Sequence, residues 1–220
     1  MAVAGPVRQE RQRVVTVTPG RANEQLCYPV HAVPDTSAGL LVRYRRQQVM
    51  LDGGPGAEPP GRLAAWLVSD DRSELRHELR ALAGVRGLRP RVAAAAVADP
   101  LIEPHPVAHT SHPTWGYLLR IPAASAVWAS EFWAFPAWAA GADLMFAEAA
   151  GWDRPIRFAR GAGGHLPALK VAGQAREHQV GRLVFAHIGR PSLRAMDAGQ
   201  SLPFGEWGLP GLTYELPPRR

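Results

Sequence analysis

GGHLPALKVAGQAREHQVGRLVFAHIGRPSLRAMDAG, residues Gly163–Gly199, is the stretch on which the fold of this chain turns. Between Leu166 and Glu177, apolar side chains return at Leu166, Leu169, Val171, Ala172 and Ala175. That three-and-four spacing predicts a helix with one buried face. Gly181 breaks the pattern, and Leu183-Val184-Phe185-Ala186 follows as a short uninterrupted apolar run. Such a run is expected of a strand covered on both faces, and it brings His187 to its C-terminal end. In open α/β sheets ligands gather at that end of the strands. His165 precedes the helix in a glycine-rich turn, so the two imidazoles are expected to flank one pocket.

Working outward, the 220 residues suit one domain with a substantial core. We place it over residues 14–216, after a basic, mobile arm at 1–13 and before a short tail at 217–220. A hydrophobic content of 46% with 20% charged residues is that of a globular protein. No apolar run approaches the roughly 20 residues that cross a bilayer, so no membrane partner is expected. The N-terminal MAVAGPVRQERQRVV carries charge where a signal peptide is apolar. Cys27 is the only cysteine, which excludes an intramolecular disulfide and a thiolate metal cluster within one chain. It fits a reducing compartment, and a cytoplasmic location is the expectation. The formal charge of +6 and pI near 10.4 invite a nucleic-acid partner. The arginines are spread along the chain, however, with modest clusters at Arg8, Arg11, Arg13 and at Arg43, Arg45, Arg46.

The N-terminal half reads as strands and turns. Val14 to Val17 predicts a first strand, and Pro19 to Pro34 a loop-rich stretch. Residues Gly39–Tyr44 and Gln48–Asp52 predict a hairpin whose second strand ends in an acid before Gly53-Gly54-Pro55-Gly56. An aspartate there is either a turn-former or a group that orients a site. Ala64–Val68 predicts an apolar strand, emptying into Ser69-Asp70-Asp71-Arg72-Ser73-Glu74-Leu75. A helix from Ser73 to Ala83 is expected next, with Ser73 as N-cap and Leu75, Leu79 and Leu82 facing inward. Acids at a helix start suit the dipole, so Asp70, Asp71 and Glu74 have a structural reading beside any catalytic one.

Val92 to Val97 predicts another strand. The segment HPVAHTSHP then sets His105, His109 and His112 in what reads as a loop, before a strand at Gly116–Ile121. Without cysteines the spacing suits no zinc finger. It fits instead a site where one loop histidine binds metal and its neighbours support it. Ala126–Ala129 predicts a strand ending at Ser130-Glu131-Phe132, amid Trp115, Trp128, Trp133, Trp138 and Trp152. These rings read as core and cleft wall, or as a stacking surface for a substrate. Ala142–Glu148 predicts a further strand. Pro203–Arg220 reads as a tail with a short strand at Leu212–Leu216.

Three segments, GLLVRYRRQQVMLDGGPG (39–56), HTSHPTWGYLLRI (109–121) and GHLPALKVAGQAREHQVGRLVFAHIGR (164–190), resemble the metallo-β-lactamase fold superfamily, particularly its tRNase Z-like and arylsulfatase-like branches. The similarity spans about residues 14 to 216. It implies an α/β fold, a four-layer αββα sandwich with two mixed sheets packed face to face and a metal site along one edge. By the same resemblance Asp52 matches the strand-end aspartate that braces the site. His109 matches a ligand histidine, and Glu131 stands where a bridging aspartate is usual. His187 matches the last ligand histidine, and His165 the helix-start histidine near the scissile phosphate.

The chain departs from the family at the ligand motif HxHxDH, where it has Asp70, Arg72, Glu74 and Leu75. Leucine cannot ligate, and a guanidinium about 4 Å from a cation is repelled by several kcal/mol even at an effective dielectric near 20. What the resemblance then implies is at most one divalent ion, or none. Glu74, His109, Glu131 and His187 would be its ligands, Asp70 a further oxygen ligand and His165 a proton donor. Zinc, manganese, iron and magnesium all suit that oxygen-rich set. The implied partner is a small-molecule or phosphodiester substrate, with nucleic acid resting on charge alone. The oligomeric state, a homodimer included, stays open. The implied activity is that of a divergent hydrolase of esters or phosphodiesters; the alternative is a non-catalytic protein of the same fold that binds a ligand, nucleic acid or protein.

Overall fold

In the computed structural model the described residues are 14–19, 38–44, 47–73, 75–96, 101–109, 112–121, 124–158, 163–209 and 212–216. The arm at 1–13, the tail at 217–220, most of the loop-rich stretch after Pro19, Glu74 and Val97 lie outside them. The N-terminal strands are β1 (Val14–Pro19), β2 (Ala38–Tyr44), β3 (Gln47–Asp52) and β4 (Ala65–Leu67), followed by helix α1 (Arg76–Gly84). Then come β5 (Ala95–Ala96), β6 (Leu101–Val107), β7 (Thr114–Ile121), β8 (Ala124–Ala129), a 3-10 turn at Ala137–Ala139 and β9 (Leu144–Ala149). The remainder is β10 (Ile156–Arg157), β11 (Gly164–His165), α2 (Ala168–Glu177), β12 (Leu183–Ile188), α3 (Arg190–Asp197), β13 (Glu206–Trp207) and β14 (Thr213–Glu215).

The strands form a five-stranded sheet in the order β14-β1-β2-β3-β4, a seven-stranded sheet in the order β13-β12-β9-β8-β7-β6-β5, and a small β10-β11 ribbon. Alternation along each strand turns these sheets into layers, because successive side chains point to opposite faces. In β2, Leu40 and Val42 join Phe146 of β9 and Val184 and Ala186 of β12 in the core between the sheets. Their alternate neighbours along the strands face outward. Leu41, Met50, Trp66 and Val68 pack with Leu79 and Ala83 of α1. On the other side Met145, Ala147, Leu183 and Phe185 pack with Ala168, Val171, Ala172 and Ala175 of α2. Each Val or Leu buried this way contributes on the order of 1.5–3 kcal/mol. The result is the expected αββα sandwich, with α2 and β12 where the periodicity places them.

Strand direction positions the site. β8, β9 and β12 run parallel, so their C-terminal ends lie along one edge of the larger sheet. β3 and β4 are parallel in the other sheet, which brings Asp52 and Ser69 to an edge together. A register shift between Phe185 and His187 re-aims the end of β12, the usual consequence of a bulge.

Several local expectations are corrected. Helix α1 starts at Arg76 with Leu75 in the cap position and no side-chain cap, not at Ser73. The reason is an intervening turn: Asp70 Oδ1 accepts the Arg72 N–H at 2.6 Å, and the Ser73 carbonyl accepts that of Arg76 at 3.2 Å. His105 lies in strand β6 rather than in a loop, flanked by Pro104 and Pro106. Prolines fit there because β5 pairs only with Leu101 and Ile102, leaving the rest of that edge without a ladder to supply. Of the described residues of the stretch Val92–Val97, Ala95–Ala96 form β5, and Val97 lies outside the described residues. Helix α3 was not expected, although Pro191 in its first turn and Gly199 after it are helix punctuation. The C-terminal segment contributes β13 and, at Thr213–Glu215, a strand that pairs with β1. Among the described residues no helix is long and apolar enough to cross a membrane.

Candidate functional site

Asp52 ends β3 with a φ of 50°, a conformation that aspartate tolerates better than most residues. Its Oδ1 accepts the Ser69 N–H at 2.6 Å; Oδ2 accepts the Ser69 hydroxyl at 2.6 Å, the Trp128 indole N–H at 2.6 Å and the Ser130 hydroxyl at 3.3 Å. The acceptor therefore stitches the ends of β3 and β4 to the end of β8, across the two sheets. Burial raises the Asp52 carboxyl above its ordinary value, and the hydrogen bonds from Ser69, Trp128 and Ser130 oppose the shift. With its oxygens so engaged, the residue acts in this structure as a brace.

The histidines gather beside that brace. His109 follows β6, His165 sits in β11 rather than in a free turn, and His187 ends β12. Ring centroids are 4.8 Å apart for His109 and His165, and 5.5 Å for His165 and His187. His187 Nδ1 donates to the Ser130 carbonyl at 2.9 Å, which leaves its Nε2 as the lone-pair nitrogen. His165 Nδ1 is 2.6 Å from Glu148 Oε2. His109 Nδ1 lies 3.5 Å from Thr114 Oγ1 and 3.6 Å from Glu131 Oε2, while its buried Nε2 has no hydrogen-bond partner among the described residues. Side-chain anchoring of one ring nitrogen is how proteins orient an imidazole for work at the other.

Glu148 is the residue beside the histidine cluster that the sequence alone does not single out. It is 0% exposed near the C-terminal end of the all-buried β9, with Oε1 accepting Phe132 N–H at 2.7 Å and Leu166 N–H at 3.3 Å. Burial pushes its carboxyl well above the usual range. Burial likewise lowers His165, so the pair shares a proton between two weakly ionised groups. The signal was present in LMFAEA, where one acid interrupts an apolar strand, a place where a charge is costly unless paired.

The remaining positions fall into two groups. Glu131 follows β8 and stands beside His109; burial raises its carboxyl, while His187 and His165 draw it down. Asp70 is turned to other partners: Oδ1 takes the Arg72 N–H, and Oδ2 lies 2.8 Å from His112 Nε2. Leu75 packs against the α1 core, and Arg72 is exposed. Glu74 lies outside the described residues. On the histidine side, the orphaned His109 Nε2 and the lone pair of His187 suit a divalent ion. Ligand atoms of Glu148, His165 and His187 also come within 4.8 Å of one another. One ion fits this donor set. Of the described residues at 70–73 and 75, Asp70 is engaged by Arg72 and His112 and Leu75 is packed against the α1 core.

Burial, with the neighbouring imidazoles, lowers His109 to about 3. An unfolded chain takes up that proton near pH 6.5, so unfolding binds protons and stability falls as pH drops from about 6.5 towards 3. In chelator-treated protein, His109→Gln is expected to flatten this decline by up to about 1.4 kcal/mol per pH unit. Urea titrations of both proteins at pH 7, 6, 5 and 4 measure it; parallel curves would refute the assignment.

No protein-family model matches the chain, and no curated protein matches it by sequence. Solved structures do match its fold. The metallo-β-lactamase fold protein YhfI from Bacillus subtilis superposes with a TM-score of 0.64 at 15% identity, over 92% of this chain and 99% of that one. A diphosphatase from the PhnP family gives 0.64 at 15% identity, over 92% and 97% of the two chains. Human tRNase Z, short form, gives 0.62 at 13% identity, over 93% and 99%. Together with the layer order and the two mixed sheets, these superpositions establish that the chain has the metallo-β-lactamase fold.

Proposed function

We propose that the chain is a hydrolase-like protein whose histidine cluster acts on an ester or phosphodiester with at most one divalent ion, zinc, manganese or iron. The observation that supports this reading most is the set of three imidazoles, each with Nδ1 beside a fixed partner, at the edge where β8, β9 and β12 end. His187, His109 and Glu131 would hold the ion, which supplies an acidified water and polarises the bond to be cleaved. Phe132 N–H and Leu166 N–H fix Glu148, and Glu148 fixes the His165 ring. His165 gives the proton on Nε2 to the leaving oxygen, and Glu148 returns one at Nδ1. Asp52 takes no part in proton transfer and keeps Ser130, and through its carbonyl His187, in place. The similarity of fold to tRNase Z and a diphosphatase is in keeping with a phosphorus–oxygen bond as the target.

The test is metal content together with hydrolysis of bis(p-nitrophenyl) phosphate. Protein purified without chelator is expected to hold no more than one equivalent, lost in His109→Ala and His187→Ala. His165→Ala keeps the metal and loses about 10²–10⁴-fold in rate. Absence of stoichiometric metal from every preparation, with no hydrolysis, sinks the reading. The engaged Asp70, the exposed Arg72 and the packed Leu75 favour the second one, a non-catalytic protein that binds a ligand, nucleic acid or protein partner. If nucleic acid is the ligand, affinity must fall steeply with salt.

A further inference from the structure

The β10-β11 ribbon stands directly against the histidine cluster. Ile156 pairs with His165 and Arg157 with Gly164. Gly164 has a φ of 149°, and a Cβ there would meet the Ile156 carbonyl oxygen at 1.9 Å, so the two strands approach as only glycine permits. The ribbon is fastened to the site through Gly164 N–H, which donates to the His109 carbonyl at 2.9 Å. Phe158 at its end contacts both imidazoles edge-on, at 5.2 Å from His109 and 5.4 Å from His165.

Arg157, one residue before Phe158, is exposed, and its guanidinium carbon lies 5.3 Å from the centroid of the Trp133 ring. Trp133 is tied to the segment that carries His109, since its backbone N–H donates to the carbonyl of Ala108, the residue before His109, at 2.5 Å. No carboxylate pairs with Arg157 among the described residues. An arginine held over an indole keeps the N–H edges of its fork available, and that planar fork matches the geometry of phosphate and carboxylate.

We infer that Arg157, held over Trp133, is an oxyanion-binding element at the rim of the histidine cluster, reading a second phosphate or carboxylate on the substrate beside the bond that is cleaved. The position of this anion relative to the scissile bond rests on the hydrolase reading above; the binding element itself does not. Substrates with two neighbouring anionic groups are then preferred over those with one.

Isothermal titration with inorganic pyrophosphate and with inorganic phosphate tests the element without any turnover. Wild-type protein is expected to bind pyrophosphate more tightly than phosphate, and Arg157→Ala to lose roughly tenfold in pyrophosphate affinity, the worth of one charge-assisted contact. Arg157→Lys, which keeps the charge and loses the fork, falls between the two. Trp133→Leu weakens binding because the guanidinium is no longer held. Arg154→Ala removes an equal charge from an exposed position in the same segment and leaves affinity unchanged. Equal binding by Arg157→Ala and wild type overturns the inference, as does an equal loss in Arg154→Ala or no pyrophosphate binding at all. Arg157-dependent binding in a protein that hydrolyses no diester would leave the element standing and the hydrolase reading refuted.

Discussion

Asp52→Ala is expected to lower the unfolding free energy by about 2–6 kcal/mol, from about 1–3 kcal/mol for each of two buried N–H donors left without an acceptor. Four donors converge on this carboxylate, from Ser69 twice, Trp128 and Ser130. Serine hydroxyls can turn to other acceptors. The Ser69 N–H and the indole N–H cannot, and each is left facing an apolar methyl. Asp52→Asn separates the contributions: its amide keeps one acceptor for the Ser69 N–H but can set an NH₂ against the Trp128 N–H. A cost of about 1–3 kcal/mol follows, and Trp128→Phe in the Asn background should recover part of it, because it removes the opposing donor. Urea denaturation of the set measures these values. An Asp52→Ala protein within 1 kcal/mol of wild type, an outcome judged against the range above, would show that the network does not brace the sheets.

Glu148→Ala is expected to be comparably destabilising, again about 2–6 kcal/mol, since it strands the buried N–H groups of Phe132 and Leu166 at about 1–3 kcal/mol each and releases the His165 ring. Glu148→Gln is the informative partner. Its carbonyl oxygen still accepts both backbone donors, and its NH₂ donates to His165 Nδ1, so stability should stay within about 1 kcal/mol of wild type. That arrangement forces the His165 proton onto Nε2 and removes the acid that replenishes it. Hydrolysis, where present, should fall by about 10²-fold with metal content unchanged. The stability profile changes as well. A carboxyl raised by burial contributes stability that is fully present below pH 4.5, its ordinary value, and is lost as pH rises through the raised one. Glu148→Gln should abolish that loss, and a variant whose profile still tracks wild type would refute the buried-acid assignment.

Much of the architecture was legible because its causes are local. The spacing in Leu166–Glu177 and the apolar run at Leu183–Ala186 produced α2 and β12 where they were expected, and Gly39–Asp52 produced the β2–β3 hairpin. His165 and His187 are legible in the residues themselves, one in a glycine-rich turn before a helix and one at a strand end; His109 is one of three histidines in a short segment, and Glu131 is singled out only by the resemblance to the metallo-β-lactamase fold. Glu148 is not, since it looks like the last residue of another apolar strand. Its importance comes from the Phe132 and Leu166 N–H groups and the His165 ring that meet it from other segments. Asp70 stands as a candidate ligand in the sequence because its partner His112 lies 42 positions away.

Periodicity and turn chemistry are properties of neighbouring residues, and from them alone follow the helices with one apolar face, the alternating strands and the chemistry available at their ends. Which strands become neighbours is a property of the packed whole. The pairing of β14 with β1, the parallel alignment of β8, β9 and β12 and the meeting of Glu148 with His165 depend on burying two sheets against each other. Distant groups meet there because a polar group buried by that packing is costly unless another segment supplies it a partner.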